Sequence, residues 1–225
     1  MFKIDIHTHI LPENLNKITN RFTDPRYIKI DPIDDHSAML KQNGTAFRKV
    51  DCNCWNHNAR IKDCDNTQVD IQVLSTLPAL FSYWAIDDEC LSLSQFINDH
   101  IAQVVKNEPK RFIGLGTIPM QNTDYAIMEM DRCINDLKLS GIELGTNING
   151  KNLKQLLTKF KEERDRIEKE TGDRPQIDDT TQMFMQKILN VWIMEGKEID
   201  EEKFWVEVDY NRQFTHSVEF YERQI

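Results

Sequence analysis

Short apolar runs alternate with longer stretches of helical periodicity through the first two-thirds of the chain. Four runs, at residues 2–6, 69–76, 111–118 and 141–145, are bounded by Gly, Pro or polar residues and are too short for helices, so they predict strands. Between the second and third, Leu93, Phe96, Ile97, Ile101, Val104 and Val105 fall on one helical face, and Pro109 follows where that helix should end. Between the third and fourth, Thr123 or Asp124 is placed to cap a helix whose buried stripe would be Ile127, Met130, Ile134 and Leu137. Crossover helices join parallel strands, so the pattern predicts four βα units of an α/β sheet. Residues 15–50, with Pro25, Pro32 and short alternating pieces, break the pattern and read as an insertion over the mouth that the strand ends would form.

The grammar changes after residue 152. A highly charged helix is predicted there, with Leu153, Leu157, Phe160 and Ile167 on one stripe, followed by a loop at 172–179 and a helix carrying Phe184, Ile188 and Val191. Phe204, Val206, Val208 and Tyr210 then alternate, and residues 216–221 can return as the other arm of a hairpin. The predicted organisation is a partial barrel over 1–152 and a divergent helical and hairpin tail over 153–225.

With 225 residues, 40% hydrophobic and 29% charged, the chain is globular in composition. Its net charge of −9, with the acidic excess spread along the chain, offers no basic footprint for nucleic acid or an anionic membrane. Neither a secretory leader nor an apolar run long enough to span a bilayer is read. Five cysteines, an odd number, do not suggest a disulfide framework, and the cytosol is the expected compartment.

The sharpest chemical signal is Asp5-Ile6-His7-Thr8-His9 at the carboxyl end of the first strand. Side chains alternate along a strand, so His7 and His9 share a face, and paired neutral imidazoles are natural zinc ligands. Cys52, Cys54, His57 and Cys64 have a spacing that fits no standard zinc finger. Trp55 and Trp84 suit core or lid packing, and Glu143, at the end of the fourth strand, reads as a solvated or ion-paired carboxylate before a general base.

Residues 5–12, Asp-Ile-His-Thr-His-Ile-Leu-Pro, resemble the opening of the aminocarboxymuconate semialdehyde decarboxylases, a branch of the amidohydrolase superfamily. Further blocks agree in order: Phe47-Arg48, Asn53-Cys54-Trp55, Arg60-Ile61, residues 69–76, residues 81–85, residues 111–117 with Pro119-Met120-Gln121, and residues 141–146. The resemblance covers residues 1 to 152 and implies the first four βα units of a TIM-type barrel, an incomplete one here, followed by an unrelated α+β tail. It implies His7 and His9 as zinc ligands and Arg48 as the grip on a substrate carboxylate, for which the planar guanidinium fork is suited. The implied reaction is the non-oxidative decarboxylation of 2-amino-3-carboxymuconate 6-semialdehyde in the kynurenine branch of tryptophan breakdown, limiting quinolinate formation. A homodimer is implied too, because the family's active sites are completed across one.

The family continues past its fourth strand with a His-Pro-Trp strand end, a catalytic histidine and a terminal metal-binding aspartate, and none of these motifs stands in this sequence. His216, in Phe214-Thr215-His216-Ser217, matches neither histidine, so no catalytic acid or base is assigned. The expectation is a shortened or alternatively spliced product of doubtful activity. Two further readings follow: an inactive fragment acting as a binding or regulatory partner, and a metal-dependent amidohydrolase.

Overall fold

The computed structural model describes residues 2–145 and 147–152. The helices and hairpin expected in the tail, and its boundary with the barrel, lie outside the described residues.

The chain enters as β1 (Ile4–Ile10), makes one turn of helix, α1 (Asn16–Thr19), and then forms β2 (Lys29–Asp34), β3 (Ser37–Gln42) and β4 (Thr45–Asp51). It goes on through α2 (His57–Thr67), β5 (Ile71–Thr76), α3 (Asp87–Asn107), β6 (Phe112–Gly116), α4 (Thr123–Asp131) and β7 (Gly141–Ile142). Strands β1, β5, β6 and β7 lie side by side in that order, all parallel. This is the predicted βα half-barrel, with the first strand reaching Ile10 and so including both histidines.

The inserted segment folds as a three-stranded antiparallel meander, β2-β3-β4, turning at Asn43-Gly44, both with positive φ. It leans on the loop after β5, at the carboxyl ends of the parallel strands. The Arg26 guanidinium lies 4.0 Å from the centre of the Trp84 ring, and Tyr27 packs on Trp84 and donates its hydroxyl to Glu89 at 2.8 Å. Trp84 thus packs in the lid.

Helix α2 was not legible from periodicity. Its sequence, His-Asn-Ala-Arg-Ile-Lys-Asp-Cys-Asp-Asn-Thr, buries only Arg60 and Cys64 and carries no apolar stripe. It begins at Asn56, whose side chain accepts from the backbone N–H groups of Asn58 and Ala59, and it ends at Gln68 in the left-handed region.

The core lies between the parallel sheet and α3, where Leu74, Leu93, Ile97, Ile101 and Phe112 are almost wholly buried. Gly114 is required there, since a Cβ would fall 2.7 Å from the Leu139 side chain and 2.8 Å from that of Ile101. The opposite face of the sheet is less covered: Ile71, Val73, Ile113 and Leu115 are half-buried and Ile4 is 49% exposed.

Helix α4 departs from expectation in two ways. Asn122 caps it, accepting from Tyr125 N–H at 3.1 Å, and the buried positions are Ala126, Glu129, Met130 and Cys133, while Ile127, Ile134 and Leu137 are half-buried. Glu129 has no solvent exposure and receives Asn98 Nδ2 at 2.7 Å and Arg132 Nε and Nη2 at 2.8 Å each. Asn98 also bonds both the N–H and the C=O of Thr117, at 2.8 Å each. A polar anchor therefore selects the face that α4 buries, and the helix loosens into a π turn over Arg132–Asp136.

His100, on α3, has a buried Nε2 with no hydrogen-bond partner among the described residues. Burial, reinforced by His57, pushes its pKa from 6.5 down to about 4. The neutral ring is then favoured in the folded state, so its contribution to stability is complete above pH 6.5 and is lost as pH falls through 4. Urea titrations across that window are expected to show wild type losing about 3 kcal/mol more than His100→Phe. Parallel profiles for the two proteins would refute this.

A histidine pair on the first strand and its surroundings

Neighbouring residues in a parallel ladder share a face, and the pairing of β1 with β5 slips once. Asp5 lies beside Gln72, but Thr8 lies beside Leu74 and His9 beside Ser75, so one extra residue of β1 bulges between them. Gln72 and Leu74 are two apart and face the same way. Asp5 and Thr8 therefore share the helix-side face, while His9 and Ser75 take the inner face. Leu74 pairs with Gly114, whose missing Cβ would meet α3, which identifies the helix side. Without the bulge, Asp5 and His9, four apart, would lie on one face.

The imidazoles of His7 and His9 stand beside each other, ring centres 5.0 Å apart and planes at 79°. His9 is half-buried and His7 is exposed. His9 Nδ1 lies 3.2 Å from Ser75 Oγ, and the Ser75 hydroxyl donates to the Thr8 carbonyl at 3.2 Å. With that proton committed, the serine oxygen accepts from His9 Nδ1–H, leaving the Nε2 lone pair available as a ligand. Glu143 Oε1 stands 3.8 Å from the same Nδ1. Burial, then the adjacent His7, hold His9 below the ordinary histidine range, against a contrary pull from the Thr76 backbone. The shift favours the neutral ring, the form that binds metal.

These two imidazoles fit one side of a metal site by donor type and placement. Among the described residues, no group of three or more His, Cys, Asp or Glu side chains is placed to hold a metal ion. Cys52, Cys54 and Cys64 are free thiols.

Arg48 stands on β4 opposite Leu40, exposed to solvent. It forms no hydrogen bond or ion pair with either imidazole among the described residues. Its arm is nonetheless joined to β1: β4 runs into a single turn at Cys52–Cys54, and the Cys54 carbonyl accepts from Leu11 N–H at 2.9 Å, one residue beyond the strand. Burial pushes the Cys54 thiol up, and the charges of Arg60 and Arg48 act against that rise.

Sequence reasoning assigned no role to Arg60, Ser75 or Gln72. Arg60 is 8% exposed on α2, with Nη2 donating to the His9 carbonyl at 2.6 Å and Nε to the Asn53 carbonyl at 3.1 Å. Its Nη1 donates to Gln72 Oε1 at 3.3 Å, and Gln72 Nε2 donates to Asp5 Oδ2 at 3.2 Å. Nothing local in a polar helix marks one arginine as buried. The repeated family blocks around residues 60 and 69–76 were the available signal.

No family model matches the chain. The chain is 48% identical over 151 residues to the 2-amino-3-carboxymuconate-6-semialdehyde decarboxylase of Dictyostelium discoideum, a match covering 67% of this chain and 42% of that protein. Against the Caenorhabditis elegans protein of the same name, identity is 30% over 171 residues, with the same two coverages. The chain thus spans less than half the length of these curated relatives. Among solved structures, the IDCase of Metarhizium anisopliae superposes with a TM-score of 0.54 at 19% identity, covering 68% of this chain and 44% of that one. The 5-carboxyvanillate decarboxylase of Novosphingobium aromaticivorans, solved with bound manganese, gives 0.52 at 16% identity, covering 84% and 48%. At such identities the superpositions establish the fold, a partial amidohydrolase-type barrel. Through residues 1–152, this chain is thus similar in sequence to the 2-amino-3-carboxymuconate-6-semialdehyde decarboxylases and shares part of the fold of the solved structures above.

Proposed function

We propose that residues 1–152 carry the metal-binding strand and the carboxylate grip of a zinc-dependent, non-oxidative carboxy-lyase. Its substrate in this reading is 2-amino-3-carboxymuconate 6-semialdehyde, so that turnover in the cytosol limits quinolinate formation. The observation that carries the reading is the His7–His9 pair at the carboxyl end of a parallel strand, with Nδ1 of His9 3.2 Å from Ser75 Oγ. Zinc suits neutral imidazole donors, and when bound it supplies Lewis acidity that makes water a usable nucleophile near pH 7.

The protein's own part is positioning. Arg48 holds a carboxylate by a two-point, charge-assisted contact and keeps the acid group oriented while its bond to carbon lengthens. Burial favours the neutral His9 ring, Ser75 orients it through Nδ1, and the sheet beneath it is backed by the buried Leu74 and Phe112. Arg48→Met is expected to weaken binding of an unreactive dicarboxylate analogue by roughly 10- to 100-fold, the worth of a charged hydrogen-bonded contact. Zinc affinity should be unchanged. Equal analogue affinity in calorimetry would remove Arg48 from the site.

The deciding experiment uses the full chain, with metal analysis, loss of substrate absorbance in added zinc, and trapping of released carbon dioxide. Zinc-dependent turnover with carbon dioxide release supports a decarboxylase. Turnover with water incorporated and no carbon dioxide would instead mean hydrolysis. A second reading is favoured by the fact that no three-residue donor group is found among the described residues. In it the chain binds metal and carboxylate without turning over and acts through a partner, a relative with a complete site among them. Zinc bound at one equivalent with no turnover would select it.

A further inference from the structure

The Arg60 side chain is the most costly group near the site. It is a cation 92% shielded from solvent, with no carboxylate at ion-pair distance among the described residues. Burial lowers its pKa, with only the thiols of Cys54 and Cys64 and the charges of Asp5 and Asp63 opposing. Bringing such a charge out of water costs several kcal/mol, and for stability alone an apolar side chain of similar volume does as well or better. What an apolar side chain cannot supply is a planar fork of donors reaching several chain segments at once.

The fork spans three segments that converge only in the folded state. Nη2 holds the His9 carbonyl on β1, Nε holds the Asn53 carbonyl in the turn that follows β4, and Nη1 holds Gln72 on β5. The first contact, at 2.6 Å, fixes the peptide plane leaving His9 and with it the direction of the His9 Cα–Cβ bond. The second fixes the turn whose next residue, Cys54, is bonded to Leu11, so that the Arg48 strand and the histidine strand are tied to one side chain. Through the third, the Gln72 amide relays the cation to Asp5. Asp5 can be there only because the β1 bulge turns it to the helix side while His9 faces inward.

We infer that Arg60 is the positioning residue of this site: it aims His9 from behind and sets the placement of the Arg48 arm relative to it. The inference rests on the metal-site reading above for its functional meaning, but the aiming of His9 can be read without any metal.

The test compares wild type, Arg60→Met, Arg60→Lys and, as a control destabilised elsewhere, Glu129→Gln. Folding is checked by circular dichroism and urea titration, zinc affinity by competition with a chromophoric chelator, and the histidine rings by long-range proton–nitrogen NMR of the metal-free protein. Folded Arg60→Met is expected to lose roughly 10- to 100-fold in zinc affinity, as removal of outer orienting contacts does. Its His9 ring should lose the single tautomer that Ser75 enforces, with His100 unmoved. Arg60→Lys, which keeps the charge but not the fork, should fall between, and Glu129→Gln should match wild type in both readouts. A folded Arg60→Met with wild-type zinc affinity and one His9 tautomer overturns the inference. Should Arg60→Met not fold, wild-type values in Arg60→Lys overturn it equally. If wild type itself binds no zinc, the decarboxylase reading falls, and the ring spectra still decide the role of Arg60.

Discussion

Replacing His9 by alanine is expected to weaken zinc binding by more than about a hundredfold and to abolish any zinc-dependent turnover, leaving the fold intact. Zinc held by four protein ligands is bound with about 10–16 kcal/mol, so one ligand accounts for roughly 3 kcal/mol, which is over a hundredfold in affinity. The fold should survive because His9 lies on the less covered, inner face, and the buried core is on the other side of β1 and β5. Ser75→Ala should cost less, about 10- to 100-fold, since it removes the group that orients the ring and not the donor. An equal loss from both substitutions would mean that the serine, or water it holds, and not the imidazole, is the ligand. Unchanged zinc affinity in His9→Ala would end the metal reading of this strand.

The largest effect on stability is expected at Arg132. Its Nε and Nη2 hold Glu129, which is wholly buried, and its Nη1 reaches Asp99 at 2.6 Å. The paired carboxylates hold the Arg132 guanidinium well above the ordinary arginine range. Arg132→Met strands the Glu129 carboxylate in the interior with Asn98 and the Cys133 thiol as its remaining neighbours. Removing one partner of a buried pair costs about 3–5 kcal/mol. Adding Glu129→Gln to Arg132→Met should recover part of that loss, because a neutral amide can be buried at lower cost and still accept from Asn98. Urea midpoints of the single and double variants decide it: a double variant less stable than Arg132→Met would show that the network acts by shape and not by charge. The network also holds Thr117, just beyond β6, through Asn98, so its loss should loosen the strand end facing the mouth.

How much of this was readable in advance differs by element. The long helix α3 and strands β5 and β6 follow directly from their apolar spacing: α3 and β6 bury one regular stripe each, and β5 is a short apolar run between two strands. The α4 stripe was misplaced by about one position. Ala126 and Glu129 are poor markers of a buried face, and what holds that face inward is a hydrogen bond from Asn98 on another helix. Helix α2 was missed because its contact with the core is made by an arginine and a cysteine. The meander was recognised as an interruption but not as a three-stranded sheet, since its outer strand β4 is exposed at nearly every position and offers no alternation.

For this protein the linear pattern was sufficient for the order of the parallel strands and of the helices α3 and α4, for the placement of His7 and His9 side by side, and, through the run of shared blocks, for the likeness to the decarboxylases. Each of these is a local property: a periodicity sensed by one buried side, or a short word of residues. The bulge that separates Asp5 from His9, the burial of Arg60, and the link between the Arg48 arm and the histidine strand belong to the tertiary structure alone. They depend on ladder pairs and hydrogen bonds that join residues up to 67 positions apart, as between Asp5 and Gln72. Polar groups become buriable only once such distant partners arrive, and hydrophobic spacing along the chain cannot announce them.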